Sequence, residues 1–170
     1  VPDGERLQEV PIRTAAALAS FASAKIHGDC RIKWPNDLVV GRHKLGGILV
    51  DAMSPPSPAE SWAIIGFGLN YQTPVAARLP DATSVFEEAV RARVEAPPFA
   101  GWVVEGISAV WEAVTSVERD WVERFRALSA HRAGDTIRFR LDGEEVEGAF
   151  GGFDEHGFLQ LETASGVRPI

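Results

Sequence analysis

Hydrophobic and polar positions alternate with two different periods along this chain, and the changes of period divide it. Between residues 11 and 26, the run Ala15, Ala16, Ala17, Leu18, Ala19, Phe21 and Ala22 predicts a helix, capped at Thr14 and stopped by Gly28. The apolar runs then shorten and become rich in β-formers. A strand is expected at 31–33, followed by the polar corner Trp34-Pro35-Asn36-Asp37, the apolar Leu38-Val39-Val40, a tight turn at 41–43 and a second strand at 44–52. The prolines of Ser54-Pro55-Pro56-Ser57-Pro58 place a surface loop there. Residues 62–69 (WAIIGFGL) read as a third strand, apolar enough to be central. Its two glycines mark a place where a ligand or another backbone comes close.

The second half is helical first. Ser84-Val85-Phe86-Glu87 has capping-box spacing and starts a short helix. Phe99 to Leu128 then reads as strongly helical, with a stripe of Val103, Ile107, Val110, Val114, Val117, Trp121 and Leu128 expected to face the core. From His131 the period falls to two. Residues 136–141, the turn Asp142-Gly143, residues 146–153 and residues 158–161 predict short antiparallel strands closing a small barrel. With a break near 130–133, two units are expected: 1–130, and a smaller one, 131–170, leaning on the first.

Composition narrows the function. Seventeen Lys and Arg against 24 Asp and Glu give a formal charge of −7, which disfavours a long nucleic-acid-binding face. The single Cys30 supports neither a disulfide framework nor a thiolate zinc site and fits a reducing compartment. No apolar run approaches the roughly 20 residues that span a bilayer. A cytoplasmic protein with no membrane partner is the expectation. The chain opens on Val1-Pro2 and its only methionine is Met53, as in a piece of a longer protein or one whose initiator was removed.

The candidate chemistry sits in two stretches, Lys33-Trp34-Pro35-Asn36-Asp37 running on to Lys44-Leu45-Gly46-Gly47-Ile48-Leu49, and Gly66-Phe67-Gly68-Leu69-Asn70. Pro35 removes a donor and fixes φ, holding Lys33, Asn36 and Asp37 at a bend between extended segments. Lys44, across the turn from Asp37, can face the same site. Gly46-Gly47 lets a ligand lie against bare backbone, and a lysine there suits a phosphate or carboxylate. Taken on the residues alone, a hairpin with solvated charges and flexible glycines is the favoured reading. His27, His131 and His156 have no partners at metal-ligand spacing, so no metal site is assigned to the chain.

The run RIKWPNDLVVGRHKLGGILVDA followed by IIGFGLN closely resembles the biotin protein ligases, the biotin–[acetyl-CoA-carboxylase] ligases, in which KWPND, KLxGIL and GxGxN elements occur in this order. Asp81-Ala82-Thr83-Ser84-Val85 resembles their following ATSL segment. The resemblance implies an α+β fold, a mixed sheet with packed helices of the class II aminoacyl-tRNA synthetase/biotin ligase kind, followed by a small SH3-like β-barrel. It implies ATP and biotin as substrates with Mg²⁺, and attachment of biotin to a lysine of biotin carboxyl carrier protein of acetyl-CoA carboxylase through biotinyl-5′-AMP. Lys44 and Asp37 match the catalytic positions. Lys44, Gly47, Leu49, Gly66 and Gly68 match the biotin pocket, and Lys33, Asn36, Lys44 and Asn70 the ATP or adenylate contacts. Trp34 and Pro35 would shape the corner.

The chain departs from the family in lacking a GRGRxGR loop, the Ser/Thr biotin-contacting segment, a DNA-binding winged helix and one more short strand at its end. A non-catalytic binding remnant of this fold and a lipoate-type ligase are therefore the alternatives. Unpaired strand edges also suggest a homodimer.

Overall fold

The computed structural model describes residues 4–53, 61–72, 79–141 and 143–170. The loop expected at 54–58 and Asp142 of the expected hairpin turn lie outside the described residues. Elements follow in the order α1 (Gly4–Ile26), β1 (Cys30–Lys33), β2 (Asp37–Val40), β3 (His43–Met53), β4 (Trp62–Leu69), α2 (Val85–Ala92), α3 (Phe99–Thr115), α4 (Trp121–Ala127), β5 (Thr136–Leu141), β6 (Glu144–Phe153), β7 (Leu159–Thr163) and β8 (Gly166–Pro169). The class is α+β. Two four-stranded sheets, β1-β2-β3-β4 and β5-β6-β7-β8, are antiparallel throughout. Parallel pairing is confined to isolated bridges at Ile32–Ser129 and Lys44–Ala82.

α1 starts well before residue 11 and runs through Pro11. The proline lies on the exposed side of the helix, outside the core. Thr14 is thus a fully buried mid-helix residue rather than a cap. His27, not Gly28, takes the left-handed conformation that ends the helix, at φ 51°. Leu18, Ala19, Ala22 and Ile26 of α1 pack on Cys30, Ile32, Leu38, Leu45 and Ile48 to form the main core. Burial pushes the Cys30 thiol up to about 12, helped by Asp29 and Glu88 nearby, so it stays an inert apolar filler.

The expected helix 99–128 is broken at 116–120. Arg13, 3% exposed, causes and rewards the break. Its guanidinium donates to the carbonyls of Ala113 (3.0 Å), Ser116 (2.9 Å) and Glu118 (3.0 Å), groups that a helix end leaves without partners, while Glu9 Oε2 accepts from Nη2 at 2.6 Å. Replacing Arg13 by Ala strands these carbonyls. It is expected to cost about 2 kcal/mol, read as a lower denaturation midpoint at unchanged slope.

The expected stripe is met at Val110, and at Trp121 of α4, but the rest of the buried face of α3 lies one residue before it. Trp102, Gly106, Val110 and Ala113 are buried, and the Phe21 ring packs against Gly106 and Trp102. Val103, Ile107 and Val117 are exposed instead. Small residues let α1 and α3 approach closely, and the Val/Ile periodicity hides that face. With β4 they leave an open apolar groove of about 880 Å³, lined among others by Trp62, Phe67, Phe99 and Trp111.

β4 is not central. Among the described residues it is an outer strand, as β1 is on the other side, and it alternates exposed and half-buried positions. One face is open, while Ile65, Phe67 and Leu69 on the other pack against the main core.

The C-terminal sheet has its own core of Ile137, Phe150, Leu159 and Leu161. It includes β8, which extends the expected set of strands to Pro169. The sheet joins the larger unit through the Trp34 indole, stacked edge-on against Phe139 at 5.1 Å, and the contact of Phe153 with Phe125 at 4.9 Å.

Candidate functional site

The site begins with an irregularity. β2 pairs with β3 as Asp37–Gly47 and Leu38–Gly46, then skips to Val39–Lys44, leaving Leu45 as an extra residue. Alternation along a regular strand would send positions 44 and 47 to opposite faces. The bulge cancels that. A Cβ at Gly47 would lie 3.7 Å from both Lys44 Nζ and Asp37 Oδ1, so lysine, aspartate and glycine meet on one face. Lys44 Nζ is ion-paired with the Asp37 carboxylate. The Leu45 carbonyl accepts the Asn70 backbone amide at 2.8 Å, continuing the β3–β4 pairing one residue beyond β4.

Lys44 is anchored through its backbone. Its N–H donates to the Asp81 carbonyl at 2.7 Å, and its carbonyl accepts from the Thr83 amide at 2.9 Å. Thr83 is fixed in turn by the buried Glu88, which it and Arg91 both contact. Ser84 caps α2 as its spacing predicts, accepting from the Glu87 amide at 3.2 Å. Asn36 pairs reciprocally with Ile48: its Nδ2 donates to the Ile48 carbonyl at 3.0 Å, and its own carbonyl accepts the Ile48 amide at 2.9 Å.

β3 and β4 supply the floor. Gly47 lies opposite Gly68, and Leu49 opposite Gly66. Three of these four positions carry no side chain, and Leu49 is 71% exposed beside them. Nothing lies within 4 Å of a Cβ placed on Gly68. Asn36, Asp37, Lys44, Gly47, Leu49, Gly66 and Gly68 thereby line one open cleft of about 240 Å³.

Two expected residues stand apart from it. Lys33 lines a separate hollow with Trp34, His131, Thr136, Ile137 and Arg138. Asn70 turns its Nδ2 to the carbonyls of Thr83 (3.0 Å) and Lys44 (3.3 Å), so its donor side holds the fold around Lys44. Gly46 is not floor but packing: it is buried, and a Cβ there would collide with the Gly68 carbonyl and sit 2.6 Å from Leu69 Cδ2.

Sequence reasoning missed Thr83 and Glu88 as supports, and His131 altogether. His131 Nε2 accepts the Trp34 amide at 3.1 Å across 97 residues, and no local pattern signals such a contact.

An ammonium above bare backbone, with a carboxylate beside it, can hold an anion and orient an incoming amine. The Lys44–Asp37 pair is half-open to solvent, with the lysine side chain 50% exposed, and such pairs are worth about 0–1 kcal/mol. An anionic ligand can displace the carboxylate at little cost. Among the described residues no cluster of three His, Cys, Asp or Glu forms a metal site, and no helix is long and apolar enough to cross a membrane.

Comparison with known proteins agrees with this geometry. Residues 8–70, which contain the whole cleft, match the model of the Biotin/lipoate A/B protein ligase family, and residues 134–170 match that of the Biotin protein ligase C terminal domain. A biotin--[acetyl-CoA-carboxylase] ligase of Paracoccus denitrificans is 29% identical over a 190-residue alignment covering 99% of this chain and 73% of that protein. The apo biotin protein ligase of Aquifex aeolicus superposes with a TM-score of 0.80 at 17% identity, over 98% of this chain and 73% of that one. The same enzyme in complex with biotin and ATP gives 0.76 at 17% identity, over 96% and 68%. The Leishmania major biotin protein ligase in complex with biotin gives 0.65 at 19% identity, over 98% and 72%. The structures establish the fold, and the two family matches follow one another in order along both sheets: over residues 8–70 and 134–170 the chain is similar to the biotin protein ligases.

Proposed function

We propose that this chain carries the lysine-and-glycine site of an ATP-dependent ligase that attaches biotin to a lysine of biotin carboxyl carrier protein through biotinyl-5′-AMP. The observation that carries the reading is the Lys44 ammonium held over the Gly47–Gly68 floor by the Leu45 bulge. In the first step a carboxylate oxygen of biotin bonds to the α-phosphorus of ATP, the bond to the β-phosphate oxygen breaks, and pyrophosphate leaves. Bringing two anions together is the electrostatic obstacle, and Lys44 lowers it by leaving Asp37 for the ligand. In the second step the carrier lysine's amine bonds to the acyl carbon, AMP departs with the electrons of the acyl–oxygen bond, and the amine loses a proton. Asp37, released from Lys44, is the carboxylate placed to orient that amine.

Leu49, Gly66 and Gly68 would receive the biotin body, and Asn36 would hold the β3 backbone in place. Lys33 is set aside from the cleft, and Asn70 acts through Lys44 rather than on the base. Mg²⁺ would enter with the ATP phosphates as part of the substrate, since the cleft itself offers one carboxylate. The smaller unit, 131–170, is read as the SH3-like barrel that steadies the corner at Trp34.

Biotin-dependent exchange of labelled pyrophosphate into ATP by the full protein tests this reading. Exchange that requires biotin supports it. Exchange driven by lipoate in place of biotin, or none with either acid, overturns it in favour of a lipoate-type ligase or a non-catalytic remnant.

A further inference from the structure

The corner 33–37 is bracketed by the segment that leads into the C-terminal sheet. The Ile32 amide donates to the Leu128 carbonyl at 2.8 Å, and the Ala130 amide donates back to the Ile32 carbonyl at 2.8 Å. One residue further, the strand pairing gives way to a side chain: His131 Nε2 accepts the Trp34 amide at 3.1 Å. The His131 backbone is held by its amide donating to Ser129 Oγ at 3.1 Å, and the imidazole lies against the Phe150 ring at 5.4 Å. Trp34 is clamped as well, through its indole against Phe139. Two and three residues beyond Trp34, Asn36 and Asp37 enter the cleft.

We propose that His131 is a positioning residue, whose Nε2 fixes the Trp34 backbone and through it the placement of Asn36 and Asp37 in the cleft. The smaller unit, through the segment that leads into its sheet, thus sets the geometry of a site to which it contributes no lining residue. This follows from hydrogen-bond chemistry. Neutral imidazole with its proton on Nδ1 has a lone pair on Nε2 to offer; the imidazolium has none and repels an N–H. Burial holds His131 below the usual histidine range, with Lys33 pushing the same way and Asp135 opposing. Arg138 also lines the hollow and is paired to Glu147. Because the folded value lies below the unfolded one, the unfolded chain takes up this proton first as pH falls from about 6.5. The stabilising bond is therefore complete at neutral pH and lost in acid.

The experiment uses the full protein, with His131→Gln, whose amide oxygen can accept in place of Nε2, and His131→Leu, which cannot. Hydrogen exchange at the Trp34 amide and the NMR signals of the Asn36 side-chain amide are followed between pH 5 and 8. In the wild type, protection at Trp34 is expected to fall toward pH 5, with the Asn36 signals shifting in step. In the Gln variant both should stay constant, and in the Leu variant both should sit at their acid values at every pH. Unchanged Trp34 protection in the Leu variant overturns the proposal, as does loss of that protection with Asn36 unmoved. If the biotin reading of the site holds, the Leu variant also slows pyrophosphate exchange about tenfold and the Gln variant restores it. Equal slowing in both variants would reduce His131 to a packing role. Absence of exchange in the wild type would sink the biotin reading while leaving the two spectroscopic readouts to decide this one.

Discussion

Lys44→Ala should lower biotin-dependent pyrophosphate exchange by about 10²–10³-fold, the loss seen when one preorganised donor to developing charge is removed. The protein should remain folded. The Lys44 side chain is half-exposed and its ion pair with Asp37 contributes little to stability, whereas its backbone bonds to Asp81 and Thr83 do not depend on the side chain. Thermal denaturation close to that of the parent, together with the rate loss, separates a chemical role from a structural one. Lys44→Arg should rescue poorly, because a planar fork on a longer stem cannot occupy the point position that the bulge sets. A variant with normal exchange would remove the lysine from the mechanism.

Gly46→Ala is the second large effect, and it falls on stability. The added methyl meets the Gly68 carbonyl of the neighbouring strand, a backbone atom that cannot swing away, and Leu69 Cδ2 at 2.6 Å. Overpacking of this kind is expected to cost about 3 kcal/mol, or roughly 6–12 °C in melting temperature for a domain of this size. Gly68→Ala reverses the balance. Its methyl enters open space, so stability should change by less than about 0.5 kcal/mol, yet it rises from the cleft floor and should weaken biotin binding about tenfold. Calorimetry on the two variants, for melting and for biotin, separates them. Equal melting temperatures would mean that the packing at Gly46 is misassigned.

How much of this was legible beforehand follows from the range of each interaction. The hairpin 30–53 and the ends of β4 were readable because turn glycines and β-branched runs act locally. Seven expected site residues, Asn36, Asp37, Lys44, Gly47, Leu49, Gly66 and Gly68, converge on one cleft because they lie on three adjacent strands of one sheet and, for Asn36, on the corner that leads into them. The position of β4 was misread because apolar content does not distinguish a buried strand from an outer one with two apolar faces. The buried side of α3 was missed because Gly106 and Ala113 give no periodic signal. Lys33 and Asn70 share motifs with cleft residues but not their direction: a corner turns one away, and two carbonyls claim the amide of the other. His131 was invisible, since its partner is a backbone group in another unit.

The unpaired residue at Leu45 sets the phase of everything after it on β3. Inserting one more residue beside it, a step the bulge does not absorb, would turn the lysine to the far side of the sheet from the glycine floor, with every site residue still present in the sequence. A one-residue insertion at Gly41-Arg42, in the turn, would leave that phase untouched. Length changes in this hairpin should therefore be read by where they fall: the same single codon is silent at the tip and disabling four positions later.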